Sequence, residues 1–436
     1  MNRILLSITL LIAITIPSAI NAQWSTATLS SSRTTLAAGS ANNKAIIAGG
    51  IGMISIPPAA SDIYTASTNL WAGNTLSLGR TWLSGAGAGD KIAFAGGAND
   101  WILSVYDAVD IYNTTNSQWS TSNLTAARSK LAAASTNNQI IFAGGANEGQ
   151  GIVSNKAEIY NTLTSTWFIS TISVARYNLC GAGTDSIAIF AGGEDLSGNV
   201  KNTVDILNTN TYTWTTATLS QPRKNSGACS AGGKIFIAGG IDSLGQASKR
   251  VDIYDLSTET WSIDSLTQAR AFLSAAGVGT KAIFAGGSDA NTSVSSKRVD
   301  IYNTVSGTWT TDSLATARTF AAATSVNNKF IIGGGTTLPF TILTSIEMYT
   351  VSSVGLEENN VNTDEITVYP NPAQDLISFE IKSNENNNSI EIYNSLGQIQ
   401  WSQIANQGMN SVSIVSWPRG IYILRNGNRQ QRFVKN

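Results

Sequence analysis

Apolar and polar positions along this chain follow one pattern that recurs seven times. In the copy from Arg270 to Trp309, small and apolar residues from Phe272 to Val278 give way to Gly279-Thr280. A second apolar run, Lys281 to Ala285, ends at Gly286-Gly287. After a polar loop come Val299-Asp300-Ile301-Tyr302, a short turn (Asn303 to Gly307) and a last segment around Trp309. Short runs bounded by turn formers predict a four-stranded antiparallel meander, and no helical periodicity competes. At the first corner the other copies carry Asn42-Asn43, Gly89-Asp90, Asn137-Asn138, Thr184-Asp185, Gly232-Gly233 and Asn327-Asn328. Most of these tolerate positive φ, which predicts two-residue hairpins of type I′.

The Gly pairs are Gly49-Gly50, Gly96-Gly97, Gly144-Gly145, Gly192-Gly193, Gly239-Gly240, Gly286-Gly287 and Gly334-Gly335, and Trp24, Trp71, Trp119, Trp167, Trp214, Trp261 and Trp309 keep step with them. Gly49 to Gly96 is 47 positions and Gly96 to Gly144 is 48, so one unit has been copied. A four-stranded sheet of this size cannot cover both its faces alone; stacking copies around an axis does. First strands such as Leu131-Ala132-Ala133-Ala134 are built of small residues and belong innermost, where neighbours converge. Trp and Tyr belong outside, where the gap widens. The two series are out of phase by one strand: Trp24 has no Asp-Ile-Tyr strand before it, and Tyr349 is followed by Leu356 where other copies have Trp. The prediction is an all-β, seven-bladed propeller over residues 23–352, closed by the N-terminal strand around Trp24.

A strand ending in Gly-Gly, an Asp-Ile-Tyr strand and a Trp seven residues after the Tyr together resemble kelch repeats, from Gln23 to Ser352. One copy departs, with Leu207 in place of Tyr. The resemblance implies a kelch-type β-propeller, in most cases a binding platform and in some an enzyme.

Residues 1–22 have the parts of a secretory signal: Arg3, an apolar stretch from Leu5 to Ile16, and small residues ending at Ala22. Beyond Ser352 the period stops. Residues 353–365 are polar and acidic and read as a linker. Residues 366–436 form a second β unit that opens with Val368-Tyr369-Pro370-Asn371-Pro372, passes Ser395-Leu396-Gly397 and closes with Gly420-Ile421-Tyr422 and Gln431 to Lys435. This tail is similar to the C-terminal sorting domain of the type IX secretion system of Bacteroidetes. The resemblance implies a small immunoglobulin-like sandwich, with Tyr369, Pro370, Asn371, Pro372, Gly397, Gly420 and Tyr422 in its motif. It also implies the type IX machinery as a partner, and delivery through the periplasm and outer membrane to the cell surface or medium.

Composition agrees with export. Only 13% of residues are charged and the net charge is −1, so neither nucleic acid nor an acidic membrane surface is favoured as partner. Nine residues after each Trp comes Arg: Arg33, Arg80, Arg128, Arg176, Arg223, Arg270 and Arg318. Each third strand carries an acid: Asp62, Asp110, Glu158, Asp205, Asp252, Asp300 and Glu347. In a meander the starts of strands one and three share an end, so these predict a structural ring of Arg–carboxylate contacts at one mouth, in preference to an anion site. Cys180 and Cys229 lie in first strands of adjacent copies, compatible with a disulfide or with two buried thiols. The chain has no His. That removes His-based acid–base catalysis, a Ser-His-Asp triad and His-ligated metal. It also means that the copper oxidase activity of kelch relatives cannot be carried over. No cofactor or metal is expected.

Specificity belongs where the copies differ, in the loops between strands two and three at the same mouth. Trp101, Tyr106 and Phe340 are their bulky aromatics. Two residues after the Arg come Trp82, Lys130, Asn178, Asn225, Phe272 and Phe320. Aromatics beside amides suit sugar rings; the alternative is that they plug the channel or pack under loops. Two functions follow: an exported recognition or scaffold protein binding a glycan or protein, or a carbohydrate-active enzyme using Asp and Glu at the mouth.

Overall fold

The computed structural model describes residues 24–53, 56–99, 104–289, 294–351, 368–381, 389–394, 398–404, 408–426 and 429–436. The expected signal (1–22) and linker (353–365), with Trp101 and Gly397, lie outside them. The chain divides into two compact units, with the division between Ser353 and Val354.

Among its described residues the first unit contains seven four-stranded antiparallel sheets. Blade 1 is Ala37–Ala41, Lys44–Ala48, Ala60–Thr65 and Leu70–Thr75, in sequence order from inside to outside. Blades 2 to 6 repeat that order over 84–123, 132–171, 180–218, 227–265 and 274–313. In blade 7, Ala322–Val326, Lys329–Gly333 and Ser345–Thr350 receive Trp24–Thr28 as the outer strand. Trp24 stands opposite Tyr349, with ring centroids 5.0 Å apart, and its Nε1 donates to Asp312 of blade 6 at 2.9 Å. First strands of successive blades neighbour one another all the way round, and that of blade 7 returns to that of blade 1. This is the arrangement of a β-propeller.

Small residues on the first strands let those neighbours approach. A Cβ on Gly39 of blade 1 would meet the Ala86 carbonyl carbon of blade 2 at 3.0 Å. Farther out, Ile46 and Ile63 of blade 1 pack with Phe94, Tyr112 and Trp119 of blade 2 in one apolar cluster. Phe94 is wholly buried; burying such a side chain contributes about 1.5–3 kcal/mol. The layers therefore hold each other and have no separate cores.

The first corners differ from the type I′ expectation. Gly232 and Gly233 both have positive φ (52° and 73°), but Asn42, Gly89, Gly279 and Asn327 are each the single left-handed residue of their turns. In blade 4, Thr184 pairs with Ile187, which moves the corner to Asp185-Ser186. Bonds to the next blade help set these corners: Asn42 Nδ2 donates to Thr114 Oγ1 at 2.8 Å, and Asn137 N to Asp185 O at 2.8 Å.

The second unit is a sandwich of a three-stranded sheet (Val368–Tyr369, Leu376–Ile381, Gly408–Ser413) and a four-stranded one (Ile399–Ile404, Ser389–Asn394, Gly420–Asn426, Arg429–Lys435). They share a core of Ile377, Phe379, Ile392, Tyr422, Leu424 and Phe433. Asn371 ties the opening of this unit to its last strand, because its Oδ1 accepts from Val434 N at 2.9 Å. Tyr422 stacks on Phe433 at 5.6 Å and donates to Pro418 O at 2.7 Å. Gly420 starts that strand. Tyr369 is half-exposed, and its hydroxyl reaches Met409 Sδ at 3.0 Å.

Candidate functional site

One end of the propeller is built from two concentric rings. The outer of these is the arginine ring, in which every Arg is buried and pairs with the acid of its own blade. Arg80–Asp110 (2.7 Å), Arg128–Glu158 (3.2 Å), Arg176–Asp205 (2.6 Å) and Arg318–Glu347 (2.6 Å) show the range, and Arg33–Asp62, Arg223–Asp252 and Arg270–Asp300 complete the set. The carboxylate has a second task. Asp62 accepts from Ser30 N and Asp252 from Ser220 N, each at 2.8 Å, and so holds the segment arriving from the preceding blade. The Arg main chain has a third. Gly50 N donates to Arg80 O, Gly240 N to Arg270 O and Gly335 N to Arg33 O, each at 2.9 Å; the last of these joins blade 7 to blade 1.

This explains the Gly pairs. Gly335 has φ 88°, and a Cβ there would lie 2.6 Å from Thr319 O. No L side chain fits that approach. Burial pulls the guanidinium pKa values down, that of Arg270 to about 10, with Asp300 opposing the shift. Nε of each of the seven has no hydrogen-bond partner among the described residues. The ring is a seam between blades, and its charges are spent on it.

Two residues on lies the inner ring: Thr35, Trp82, Lys130, Asn178, Asn225, Phe272 and Phe320. All seven are left-handed, with φ between 53° and 55°. Main-chain bonds link them from blade to blade: Trp82 N to Thr35 O (3.4 Å), Lys130 N to Trp82 O (3.0 Å), Asn178 N to Lys130 O (3.0 Å), Asn225 N to Asn178 O (2.9 Å), Phe272 N to Asn225 O (3.1 Å) and Thr35 N to Phe320 O (3.0 Å). Such φ values are uncommon for residues other than Gly, and for bulky side chains they are outliers. Here the belt of bonds fixes the backbone, and the side chains are left to vary.

They vary by sector. Phe320 packs against Phe272 at 4.3 Å and edge-on to Trp82 at 5.9 Å, reaching past the small Thr35. Lys130 Nζ lies 5.7 Å from the Trp82 ring and 5.6 Å from that of Tyr177, and it pairs with Glu148. Asn178 Nδ2 donates to Glu194 at 2.8 Å, and Lys224 Nζ pairs with the same carboxylate at 2.6 Å. Six of the candidates thus meet in one ring. Tyr106 contributes main-chain bonds instead, donating to Gly97 O (2.8 Å) and accepting from Arg128 N (3.1 Å). Phe340 stands 88% exposed, apart from the aromatic contacts of the ring.

Sequence reasoning missed Glu148, Tyr177, Glu194 and Lys224. The repeat itself carried the signal. Glu194 follows its Gly pair where the other blades have Ile51, Ala98, Ala146, Ile241, Ser288 and Thr336. Tyr177 and Lys224 stand where others have Thr34, Thr81, Ser129, Ala271 and Thr319. On the first strands of blades 4 and 5, Cys180 and Cys229 are free thiols, each raised to about 12 by burial. Among the described residues no group of three His, Cys, Asp or Glu is placed to hold a metal ion.

Comparisons with known proteins fall on both units. The KLHDC2/KLHL20/DRC7 Kelch-repeats domain matches residues 130–335, and the secretion system C-terminal sorting domain matches residues 367–436. No curated protein matches the chain. A solved structure described as "Structure of YjhT" aligns over 74% of this chain and 97% of that one, with a TM-score of 0.50 at 13% identity. At that identity the likeness concerns the fold alone.

Proposed function

We propose that this chain, in which Kelch repeats precede a type IX secretion sorting domain, is an exported recognition or scaffold protein whose propeller mouth takes a glycan or a protein partner. The sorting domain directs export to the cell surface or the medium, and it engages the type IX secretion machinery. Retention at the outer membrane is part of the proposal. One observation carries the role of the mouth. Around a ring of uniform backbone, the arginine column is constant while the column two residues on holds seven side chains of five kinds. A position maintained for packing alone has no reason to alternate Trp, Lys, Asn and Phe on the same backbone.

The test is binding of the purified full chain to a glycan array and to extracellular proteins of its source, with Lys130→Gly and Asn225→Gly as mouth variants and Thr310→Ala on an outer strand as control. Glycine suits the left-handed backbone, so these variants remove the side chain without adding strain. Loss of binding in the mouth variants alone is expected. Binding that survives both refutes the assignment, and turnover of an array glycan, abolished by Glu148→Gln or Glu194→Gln, favours the enzyme reading.

A further inference from the structure

We infer that the mouth takes a neutral sugar residue, held between an aromatic arc and an amide arc of the inner ring. This rests on the mouth being the recognition surface. Three features of the ring lead to the ligand class.

The ring is divided. Phe272, Phe320 and Trp82 form a continuous aromatic wall from blade 6 across to blade 2, with contacts at 4.3 and 5.9 Å. Lys130, Asn178 and Asn225 occupy the remaining, consecutive blades. A pyranose has the matching asymmetry, with an apolar face of C–H groups and an edge of hydroxyls. Stacking on an aromatic wall covers the first, and side-chain amides serve the second.

The charges of the polar arc are cancelled within the protein. Lys130 has Glu148, and Lys224 has Glu194, which is 5% exposed and also bound by Asn178. Neither carboxylate is supplied by the repeat. Both departures bring an acid to a lysine that is itself a departure, so the cations arrive with their counter-ions. An acidic ligand must displace Glu148 or Glu194, and a cationic one must compete with Lys130 and Lys224.

Among the described residues the Asn225 amide has no side-chain hydrogen-bond partner, although its main chain is bonded on both sides. An amide offers both donors and an acceptor. A hydroxyl uses both; a carboxylate uses only donors and an ammonium only the acceptor. An apolar peptide side chain would suit the aromatic wall but would leave the amide unpaired on desolvation.

The experiment is a glycan array of oligosaccharides ending in neutral hexoses, N-acetylhexosamines, uronic acids or free amino sugars, probed with the full chain and followed by calorimetry on the best binder. Expected is a preference for neutral termini, weakened by about tenfold or more in Asn225→Gly and in Trp82→Gly, the loss that one unmade polar contact or stacking contact produces. The double variant Glu148→Gln with Glu194→Gln uncovers both lysines and is expected to raise affinity for uronic acid termini by several-fold. Preference of the unaltered chain for acidic or amino termini overturns the inference, as does failure to bind any neutral terminus at millimolar concentration. Mouth-dependent capture of a protein in place of a glycan also overturns it while leaving the mouth as the recognition surface. Binding indifferent to the mouth variants removes both.

Discussion

Arg223 and Asn225 stand two residues apart on the same segment, yet their columns behave in opposite ways. The Arg column never changes, and each member touches its own blade through an acid and the preceding one through its carbonyl. The Asn225 column changes at five of its seven steps around the ring, although its backbone is as uniform, with φ confined to 53–55°. Where side chain and backbone both bear on the seam, substitution disturbs two blades at once. Where only the backbone does, the side chain is released for other work. A sevenfold repeat thus contains its own control: constant columns mark what the ring needs, and departures at the mouth mark what this chain adds.

The largest effect should come from opening the constant seam. Removing Trp24–Thr28 leaves Ser345–Thr350 paired on its inner side only, with Lys329–Gly333, and takes away the strand that precedes Arg33. The melting temperature of the propeller should fall by about 10 °C or more, a loss of several kcal/mol at roughly 2–4 °C each. A variant melting with the full chain would show that the ring does not depend on this clasp.

A smaller effect is expected where the seam relies on main chain alone. Gly335→Ala forces an L residue to φ 88° and sets its Cβ against Thr319 O. The cost should be about 1–3 kcal/mol by denaturant titration. A neutral result would mean that the Gly pairs serve something other than close approach.

Smaller still is the effect of departures that face inward. Cys180 and Cys229 stand where other first strands have Ala, Gly, Ser or, once, Thr, and burial raises both thiols to about 12 from about 9. At pH 8 the folded protein holds both as neutral thiols, so iodoacetamide should label neither; on unfolding without reductant, both should be labelled. Mass spectrometry showing no label after unfolding would indicate a disulfide. Because the folded values are raised, the stability tied to these thiols is present below about pH 9 and is lost as pH rises toward 12.

What could be read from the chain follows the same division. Gly49-Gly50, Arg33 and Asp62 recur at fixed spacing, and spacing survives in a linear string, so the meander, the ring and the Arg–acid pairing were legible. The left-handed inner ring was not. Trp82, Lys130 and Phe272 have no preference for positive φ, and what holds them there is a chain of bonds from neighbouring blades. Only Asn178 and Asn225, which tolerate that conformation, hinted at it. The corners failed for a related reason: Asn42-Asn43 looks like a local hairpin signal, but its geometry is shared with Thr114 of the next blade. The Glu194–Lys224 pair was hidden because its members belong to different columns, and only folding brings those columns together.

The division of labour is tested most directly on one segment, by comparing Arg223→Ala with Asn225→Gly in thermal stability and in binding to the best ligand of the array. Arg223→Ala should lose about 3–5 kcal/mol, since it leaves Asp252 buried without its partner. Asn225→Gly should melt within about 1 kcal/mol of the parent and lose most of its affinity. Equal destabilisation by both, or a fully binding Asn225→Gly, would contradict the separation of seam from recognition surface.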